Sequence, residues 1–373
     1  MTEHRAHCIE LIVNEKEETY FKKAVGCARF AYNWGIEEWR KLYEAYLKDP
    51  TQEKPSQYVI RKRLNQIKRQ EFPWMLDVTK CAVQMALIHL GTAFQNFWKN
   101  PKKFKYPKFK KKYAQDSFTI SNDQFKVEGS RIHIPKLGWV RMREALRFKN
   151  AKILWATISR RGKRWYVSIT CELDNLEHLK PAKNHGTVGV DLGVGRLAVL
   201  SNHKSFEALQ PLKDALKRLK RAQRKLSRCR KGSKNYGKQR TRVAELHRRV
   251  FNIRDNALHQ LTNYLTTNFS RIVIENLNVS GMLKNRHLAR AIADVGFGKF
   301  RRLLEYKAKQ RGCELIIADR FYPSSKLCGY CGRKNESLTL ADRRWKCPHC
   351  QKEIKDRDFN AAINLKNYPE RTQ

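Results

Sequence analysis

Acidic side chains are scarce in this sequence. Its 373 residues include 35 aspartates and glutamates against 78 lysines and arginines, which gives a formal net charge of +43. The positive charge is distributed along the whole chain and is not confined to a tail. Such a surplus predicts a polyanionic partner, and nucleic acid is the polyanion that we expect.

Long apolar runs are absent as well. A membrane-spanning helix needs about 20 consecutive apolar residues, and the sequence contains no such run. The N-terminal MTEHRAHCIE is not followed by the apolar core of a secretory signal. These absences argue against a membrane partner, and we expect a cytoplasmic protein.

The sequence also lacks the secretory context in which disulfides form. Its ten cysteines are therefore interpreted as free thiols together with a metal site. Six of them lie among apolar neighbours and are expected to be small core residues: Cys8, Cys27, Cys81, Cys171, Cys229 and Cys313.

The first half of the chain changes its pattern twice. Residues 7–14 alternate polar and apolar side chains as a strand does, and helical patterns follow up to about residue 100. Residues 100–113 interleave lysines with aromatic rings, which suits either nucleic-acid contact or a solvated linker. From 117 to 173 the alternation returns. We predict an antiparallel sheet or small barrel that residues 7–14 join across the inserted helices.

The second half alternates buried strands with helices. TVGVDLGVGRLAVLSN indicates a strand, a tight turn and a strand, and RIVIENLNV and CELIIADRF indicate two more strands. This order of elements is typical of an α/β sheet. Two basic segments with apolar residues at helical spacing predict an antiparallel helical hairpin with a basic outer face. Its predicted seam consists of Leu212, Leu216, Leu219, Val243, Leu246, Val250, Ile253 and Ala257.

Four cysteines form the most specific local pattern. Cys328, Cys331, Cys347 and Cys350 have the spacing C-x2-C-x15-C-x2-C, in which two knuckles supply four thiolates to one tetrahedral zinc ion. Four thiolates fill the coordination shell, so this Zn2+ would be structural. His349 lies within the second knuckle but is surplus to the ligand count.

Acidic residues at strand ends form a second candidate site. Asp191 ends the apolar run VGVD beside glycines, and Glu275 ends RIVIE. Burial of a carboxylate is costly unless it is paired or bound to metal, so either salt bridges to Lys and Arg or a metal site would explain these two. Two divalent ions about 4 Å apart need roughly three carboxylates. Asp356 or Asp358 in KDRDFNAAINL is the natural third.

Helical geometry separates these two aspartates. Residues two apart point about 200° away from each other, so both cannot reach one pair of metal ions. Asp356 occupies the position of an N-cap, where it would accept backbone N–H groups, but its own face is also apolar. Periodicity therefore favours Asp358 without excluding Asp356. Asp358 shares a face with Ala361, Ala362 and Leu365, and the two alanines permit close approach to a sheet.

Three motifs give the sequence a family resemblance. GVDLGV, IENLNV and DRDFNAAINL, with the CxxC pairs before the third, resemble in order the RuvC-type (RNase H-like) motifs of the TnpB family. These are transposon-encoded RNA-guided nucleases related to type V CRISPR effectors. ARFAYNW, IPKLGWV, KNRHLARAIADVGFGKF and YPSSKLCGYCG are similar to further stretches of that family. The resemblance therefore covers nearly the whole chain.

The resemblance implies a multidomain α+β and α/β fold. An OB-like wedge (WED) β-barrel with an inserted helical recognition (REC) domain would precede an RNase H-like RuvC nuclease domain with an inserted zinc ribbon. The implied boundaries are WED 1–15 and 115–182, REC 16–114, RuvC 183–320 with the basic hairpin at 211–268, a zinc-ribbon target-nucleic-acid-binding insert 321–352, and RuvC 353–373.

The resemblance also implies roles for particular residues. The family's catalytic acids fall on Asp191, Glu275 and Asp358, which would bind two Mg2+ ions. TKCAVQ is similar to the helix that reads a short DNA motif adjacent to the target, which implies Lys80 and Gln84 as contacts to that motif. The residues around them depart from the family pattern, so the motif that is read can differ too.

The implied function is RNA-guided cleavage of DNA. A guide RNA (omega RNA) from the transposon end would select double-stranded target DNA by base pairing, while the basic surface holds the nucleic-acid backbones. Two alternatives stay open, namely a nuclease-inactive RNA-guided repressor and a DNA-strand-transfer transposase. We expect a prokaryotic protein, nucleoid-associated when bound to DNA, with one protein per guide RNA.

Overall fold

We describe the protein from a computed structural model. It describes residues 3–112, 114, 116–148, 151–173, 183–207, 210–285, 289–339 and 341–371. The chain divides near residue 175 into two compact units. Among the described residues, no helix combines the length and the apolar character that crossing a bilayer requires.

The first unit combines one antiparallel sheet with three α-helices. Its strands are β1 (Glu3–Ile12), β2 (Ser117–Ser121), β3 (Lys126–Glu128), β4 (Arg131–Ile134), β5 (Gly138–Met142), β6 (Lys152–Arg161) and β7 (Arg164–Leu173). Its helices are α1 (Glu15–Lys48), α2 (Gln57–Glu71) and α3 (Lys80–Lys99). The strand order is β2-β6-β7-β1-β5-β4-β3. Because β2 and β3 are the edges of this ladder, closure into an OB-like barrel stays a prediction.

Strand β1 lies inside the sheet although it is first in sequence. It pairs with β7 from Glu3 opposite Leu173 to Leu11 opposite Trp165, and its far end pairs with β5. The alternating pattern therefore predicted correctly that this segment joins strands beyond the helices. The period of two also puts Cys8 on the outer face, where it is exposed.

Two of the six expected core cysteines depart from the prediction. Burial of Cys8 is wrong for the reason just given, and Cys229 is only half-buried just beyond the first helix of the basic hairpin. The other four are buried.

The helices and the sheet of the first unit share one continuous hydrophobic core. Helix α1 begins at a capping box in which Asn14 and Glu17 exchange side-chain and backbone hydrogen bonds. Phe21 then packs its ring 5.1 Å from that of Trp165 on β7 and 5.9 Å from that of Phe118 on β2. The inserted helices are thus part of the same packed body as the strands around them.

The second unit contains a mixed sheet, a helical hairpin and a small ribbon. Its strands are β8 (Thr187–Leu192), β9 (Arg196–Leu200), β10 (Ser205–Glu207), β11 (Arg271–Ile274), β12 (Glu314–Ile317), β13 (Trp345–Lys346) and β14 (Glu353–Ile354). Its helices are α4 (Gln210–Ser227), α5 (Lys234–Asn268), α6 (Val279–Met282), α7 (Ala289–Val295), α8 (Phe297–Arg311), α9 (Arg357–Lys366) and α10 (Tyr368–Arg371).

The five-stranded sheet has the order β10-β9-β8-β11-β12. Strands β8, β9 and β10 are antiparallel neighbours, whereas β11 runs parallel to both β8 and β12. Val190 lies opposite Ile274, and Ile274 lies opposite Ile317. The carboxyl ends of the three parallel strands therefore meet at one edge of the sheet.

Helices α4 and α5 form the antiparallel hairpin that the apolar spacing predicted. Their seam has its own hydrophobic cluster, which consists of Ala215, Leu216, Leu219, Ala222, Leu226, Val243, Leu246, Val250 and Ile253. The predicted side chain of Leu212 lies outside the described residues. Ala257 is buried further along α5, in the core beneath the sheet.

Helix α9 packs directly against β8. A Cβ added at Gly189 would overlap the carbonyl oxygen of Ala362 and the backbone nitrogen of Lys366. Ala361 and Ala362 are buried on this side of the helix. Small residues on both elements therefore let the two backbones touch, as the alanine face predicted.

This contact predicts the effect of Gly189→Ala. The added methyl group forces backbone atoms apart, and overpacking of this kind costs roughly 3 kcal/mol. We expect a lower urea midpoint for unfolding of the second unit. Gly298→Ala is the matched control, because no atom lies within 4 Å of its added Cβ. Equal midpoints for the two variants would contradict the close packing of α9 on β8.

Candidate metal centres

Asp191 and Glu275 lie side by side at the edge where the parallel strands end. Asp191 is the fifth residue of β8, and Glu275 directly follows β11. The last paired residues of these strands are Val190 and Ile274, so the two acids occupy the next position in register. Both are partly buried. The topology therefore brings together two acids that are 84 positions apart in the sequence.

The two carboxylates are not neutralised by ion pairs. Burial raises the pKa of Asp191 well above its ordinary value, and the charges of Glu275 and Asp358 raise it further. Burial also raises the pKa of Glu275, against which a hydrogen bond from Ser324 acts. Within the described part of the chain, no Lys or Arg forms an ion pair with either acid. The salt-bridge interpretation of this pair is therefore wrong for the residues described.

Asp356 is the N-cap of α9. Its Oδ1 accepts hydrogen bonds from the backbone N–H groups of Asp358 at 2.9 Å and Phe359 at 3.2 Å. Its carboxylate also receives both terminal nitrogens of Arg196, at 2.6 and 2.8 Å. The Arg196 hydrogen bonds lower the pKa of Asp356 to about 2. The expected cap is confirmed, and it carries a bidentate arginine that the sequence did not reveal.

Asp358 lies on the first turn of α9, near Asp191. It contributes to the raised pKa of Asp191, but its oxygens are also held by arginines. Arg196 Nη2 donates to Oδ2 at 2.7 Å, and Arg343 Nη1 donates to Oδ1 at 3.0 Å. Arg196 on β9 thus bridges both aspartates of the DRD motif.

The three acids fit a divalent cation by their chemistry. Their donors are carboxylate oxygens, which Mg2+ prefers, and two of the acids form no ion pair with any Lys or Arg among the described residues. The oxygens are more widely spaced than ligands of one ion, because only the cysteine cluster brings its ligand atoms within 4.8 Å of one another among the described residues. Each carboxylate oxygen of Asp358 accepts one hydrogen bond from an arginine and retains a second lone pair for a metal ion.

The four cysteines do form a compact metal site. The Sγ atoms of Cys328 and Cys350 lie 3.6 Å apart, and those of Cys331 and Cys347 lie 3.7 Å apart. A tetrahedron with Zn–S bonds of about 2.3 Å has edges of about 3.8 Å. The predicted ligand set therefore fits one zinc ion, while His349 is exposed and outside the set.

Lys80 and Gln84 belong to the first unit. Lys80 is the first residue of α3 and is exposed, and Gln84 lies one turn later and is half-buried. The first turn of α3 contains no acidic residue, although acids are favoured at helix N-termini. The two side chains share one face of the helix, where they could both contact one ligand.

Several residues around these centres were missed by sequence reasoning. Arg196 is the first residue of the otherwise apolar strand β9, which is a signal that could have been used. Asn360 and Asn364 are buried in α9 between alanines and leucine, and a buried amide on an apolar helix face indicates a specific hydrogen bond. Arg343 and Ser324 had no such signal.

Three family models match the chain. The model OrfB_IS605, described as "Probable transposase", matches residues 167–286. The model Cas12f1-like_TNB, described as "Cas12f1-like, TNB domain", matches residues 297–365. A model described as "Helix-turn-helix domain" matches residues 1–48, a range that here contains one strand and one long helix.

Related sequences match over nearly the full length. A protein of Streptomyces pristinaespiralis named "Putative RNA-guided DNA endonuclease" is 33% identical over 97% of this chain and 88% of its own. "Putative RNA-guided DNA endonuclease InsQ" of Escherichia coli K12 is 30% identical over 94% of this chain and 88% of its own.

A solved structure shares the fold. The chain in a cryo-EM structure of a Cas12f1–sgRNA–target DNA complex matches 95% of this chain and 84% of its own, with a TM-score of 0.56 and 14% identity. At that identity the likeness concerns the fold alone.

The cysteine geometry predicts zinc in the purified protein. We expect about one Zn2+ per chain by elemental analysis, because four thiolates complete its coordination. Cys328→Ser should lose most of this zinc, whereas Cys229→Ser should retain it, since Cys229 lies outside the cluster. Full zinc retention by Cys328→Ser would contradict the site.

Proposed function

Since the chain belongs to the TnpB family, we propose that it is an RNA-guided DNA endonuclease. It uses a transposon-derived guide RNA to select double-stranded DNA beside a short adjacent motif. It cuts the phosphodiester backbone by two-metal-ion hydrolysis. The observation that carries this proposal is the meeting of Asp191, Glu275 and Asp358 around one edge of the sheet.

The topology of the second unit supports a RuvC-type, RNase H-like assignment. Three antiparallel strands are followed by two parallel ones in the order β10-β9-β8-β11-β12. Two of the acids end the adjacent parallel strands β8 and β11, and the third comes from α9 across the sheet face. This placement suits a nuclease centre because the acids come from rigid elements.

Asp191, Glu275 and Asp358 would bind the metal ions, and two arginines would orient the Asp358 carboxylate. When bound, two Mg2+ ions activate water and stabilise the leaving 3′ oxygen. Asp191 and Glu275 offer carboxylates that form no ion pair with a Lys or Arg in the described part of the chain. Arg196 and Arg343 keep the Asp358 carboxylate oriented through charge-assisted hydrogen bonds.

The α4–α5 hairpin offers a surface for a nucleic-acid backbone. A cavity of about 430 Å³ between the helices is lined by four cationic side chains, those of Arg218, Arg221, Lys225 and Arg242. All four are exposed, and the lining contains no acid. The three on α4 span about 10 Å along the helix axis. A row of exposed cations of this length suits contacts to the phosphates of the guide RNA.

The finer architecture forms part of the same proposal. The sheet and helices of the first unit correspond to the WED and REC regions with the boundaries given above, and the zinc ribbon to a target-nucleic-acid-binding insert. Lys80 and Gln84 read the adjacent DNA motif from the start of α3. One chain acts with one guide RNA.

The same acidic site bears on the two alternative functions. A nuclease-inactive RNA-guided repressor does not need the acidic centre, and all three acids are present here. A strand-transfer transposase would also use three acids, but it would act on transposon ends without a guide. Dependence of cutting on the guide separates the proposal from both.

Substitution of the acids tests the nuclease proposal. Asp191→Asn, Glu275→Gln and Asp358→Asn should each lower guide-dependent cleavage of target DNA by roughly a thousandfold or more, because each removes metal-binding charge. Binding of guide RNA should be unchanged, as measured by filter retention. Cleavage is followed in Mg2+ with the guide and a matching duplex.

Asp356→Asn is the matched control within the same motif. Asparagine keeps the N-cap and leaves all three acids in the chain, although it weakens the pairing of Arg196. Its loss of cleavage should therefore be at least about tenfold smaller than that of Asp358→Asn. If Asp358→Asn cut normally and Asp356→Asn did not, the assignment within the motif would be reversed. Cutting that is independent of the guide would refute the RNA-guided mechanism.

The hairpin predicts how RNA binding depends on salt. The purified protein should carry a discrete transposon-end RNA. Changing Arg218, Arg221, Lys225 and Arg242 together to Gln should reduce the slope of log K against log [salt] for that RNA by about 3. The reason is that about four phosphate contacts are lost.

A second quadruple variant controls for net charge. Lys22, Lys41, Arg271 and Lys334 are ion-paired on the surface, and their change to Gln removes the same formal charge. This variant should keep the wild-type slope within about 1. Equal slopes for the two variants would show that the hairpin is not the binding surface.

A further inference from the structure

The loop that follows β12 reaches the acidic centre. Residues 318–329 run from the end of β12 to the first zinc knuckle. Ser324 lies in this loop and is only 3% exposed. Its Oγ donates a hydrogen bond to Oε1 of Glu275. The loop therefore supplies a donor to one of the three acids without contributing an acid itself.

Two asparagines of α9 fasten this loop. Nδ2 of Asn364 donates to the carbonyl oxygens of Ser324 and Leu327, at 2.8 Å each. Nδ2 of Asn360 donates to the same Leu327 oxygen at 2.7 Å, and its Oδ1 accepts from the backbone N–H of Gly329 at 2.8 Å. These side-chain amides replace the strand or helix partners that the loop backbone lacks.

The same contacts hold the first zinc ligand. Leu327 and Gly329 flank Cys328, so the amide of Asn360 is bonded on both sides of that cysteine. A Cβ at Gly329 would lie 2.9 Å from Oδ1 of Asn360, so the glycine permits this close approach. Both asparagines are buried, with 3% and 0% exposure. Such fully satisfied buried amides specify one arrangement of the loop on the helix.

Helix α9 is thereby connected to two acids. It carries Asp358 itself on its first turn, and through Asn364 and Ser324 it reaches Glu275. We propose that Ser324 is a positioning residue for Glu275, and that Asn360 and Asn364 set its place by fixing the loop and the first zinc knuckle to α9. The proposal rests on the metal-dependent nuclease function proposed above.

The chemistry of the contact explains the role. A hydroxyl donor occupies one lone pair of the Glu275 carboxylate and fixes its rotation, while the remaining lone pairs stay free for a metal ion. Outer hydrogen bonds of this kind orient metal ligands, and their loss typically costs 10- to 100-fold in metal affinity or activity. Ser324 therefore acts through Glu275 and does not touch the substrate.

Mn2+ binding to the full-length protein tests this role directly. Titration calorimetry without RNA or DNA should show about tenfold weaker Mn2+ binding for Ser324→Ala than for wild type. Ser324→Thr keeps a hydroxyl donor and should restore most of the affinity. Ser205→Ala is the matched control, because it removes another serine–glutamate hydrogen bond, that of Ser205 to the exposed Glu207.

Cleavage provides the second readout. Ser324→Ala should need about tenfold more Mg2+ for half-maximal cutting, with guide binding and zinc content unchanged. Unaltered Mn2+ affinity in Ser324→Ala would overturn the positioning role. Because Mn2+ binding is measured without nucleic acid, it still decides the role of Ser324 if the wild-type protein fails to cut, an outcome that would reject the nuclease function instead.

The asparagines are tested by Asn360→Asp. Aspartate keeps the acceptor for Gly329 but cannot donate to Leu327, so the loop should loosen and Mn2+ binding should weaken severalfold. Zinc should be retained, since the four thiolates are intact. Wild-type Mn2+ affinity in Asn360→Asp would refute the role of Asn360 in fixing the loop. If the buried aspartate unfolds the helix, the Ser324→Ala result still tests the role of Ser324.

Discussion

The contact between α9 and β8 is the constraint on which the second unit depends. No side chain separates the two backbones at Gly189. A helix of ten residues placed this closely has little freedom to slide, so its first turn is fixed relative to the ends of β8 and β11. Asp358 can face Asp191 because of this contact. The N-cap interaction with Arg196 and the asparagine contacts to the loop also require it.

Local electrostatics at the acidic centre differ from those of the whole chain. The chain carries a formal charge of +43, and yet the pKa of Asp191 is raised by burial and by two neighbouring acids. The charges of the nearby Arg357 and Arg196 oppose the rise but do not cancel it. A concentration of negative charge can therefore persist in a strongly basic protein, and a bound cation would relieve it.

The sequence predicted much of this architecture because the relevant signals are local. Apolar periodicity located the hairpin seam, cysteine spacing located the zinc ligands, and the position of Asp356 before an apolar helix indicated its cap. The arginine bridge from Arg196 was not predictable, because it joins a strand to a helix about 160 positions later and depends on tertiary placement. The Ser324 contact to Glu275 is non-local for the same reason. Periodicity also could not separate the two aspartates fully, since both faces of α9 are apolar; their different partners depend on tertiary placement.

The interior place of β1 affects the order in which the first unit can form. Its partners β5 and β7 end at Met142 and Leu173, so this strand leaves the ribosome long before either neighbour exists. At about 5–20 residues per second, the wait for β7 is on the order of 10–30 s. During that time Ile9 and Leu11, which are buried in the finished sheet, have no strand to cover them. Helix α1 is synthesised much sooner, and its capping box begins two residues after β1. It is therefore the first native element that can form next to β1.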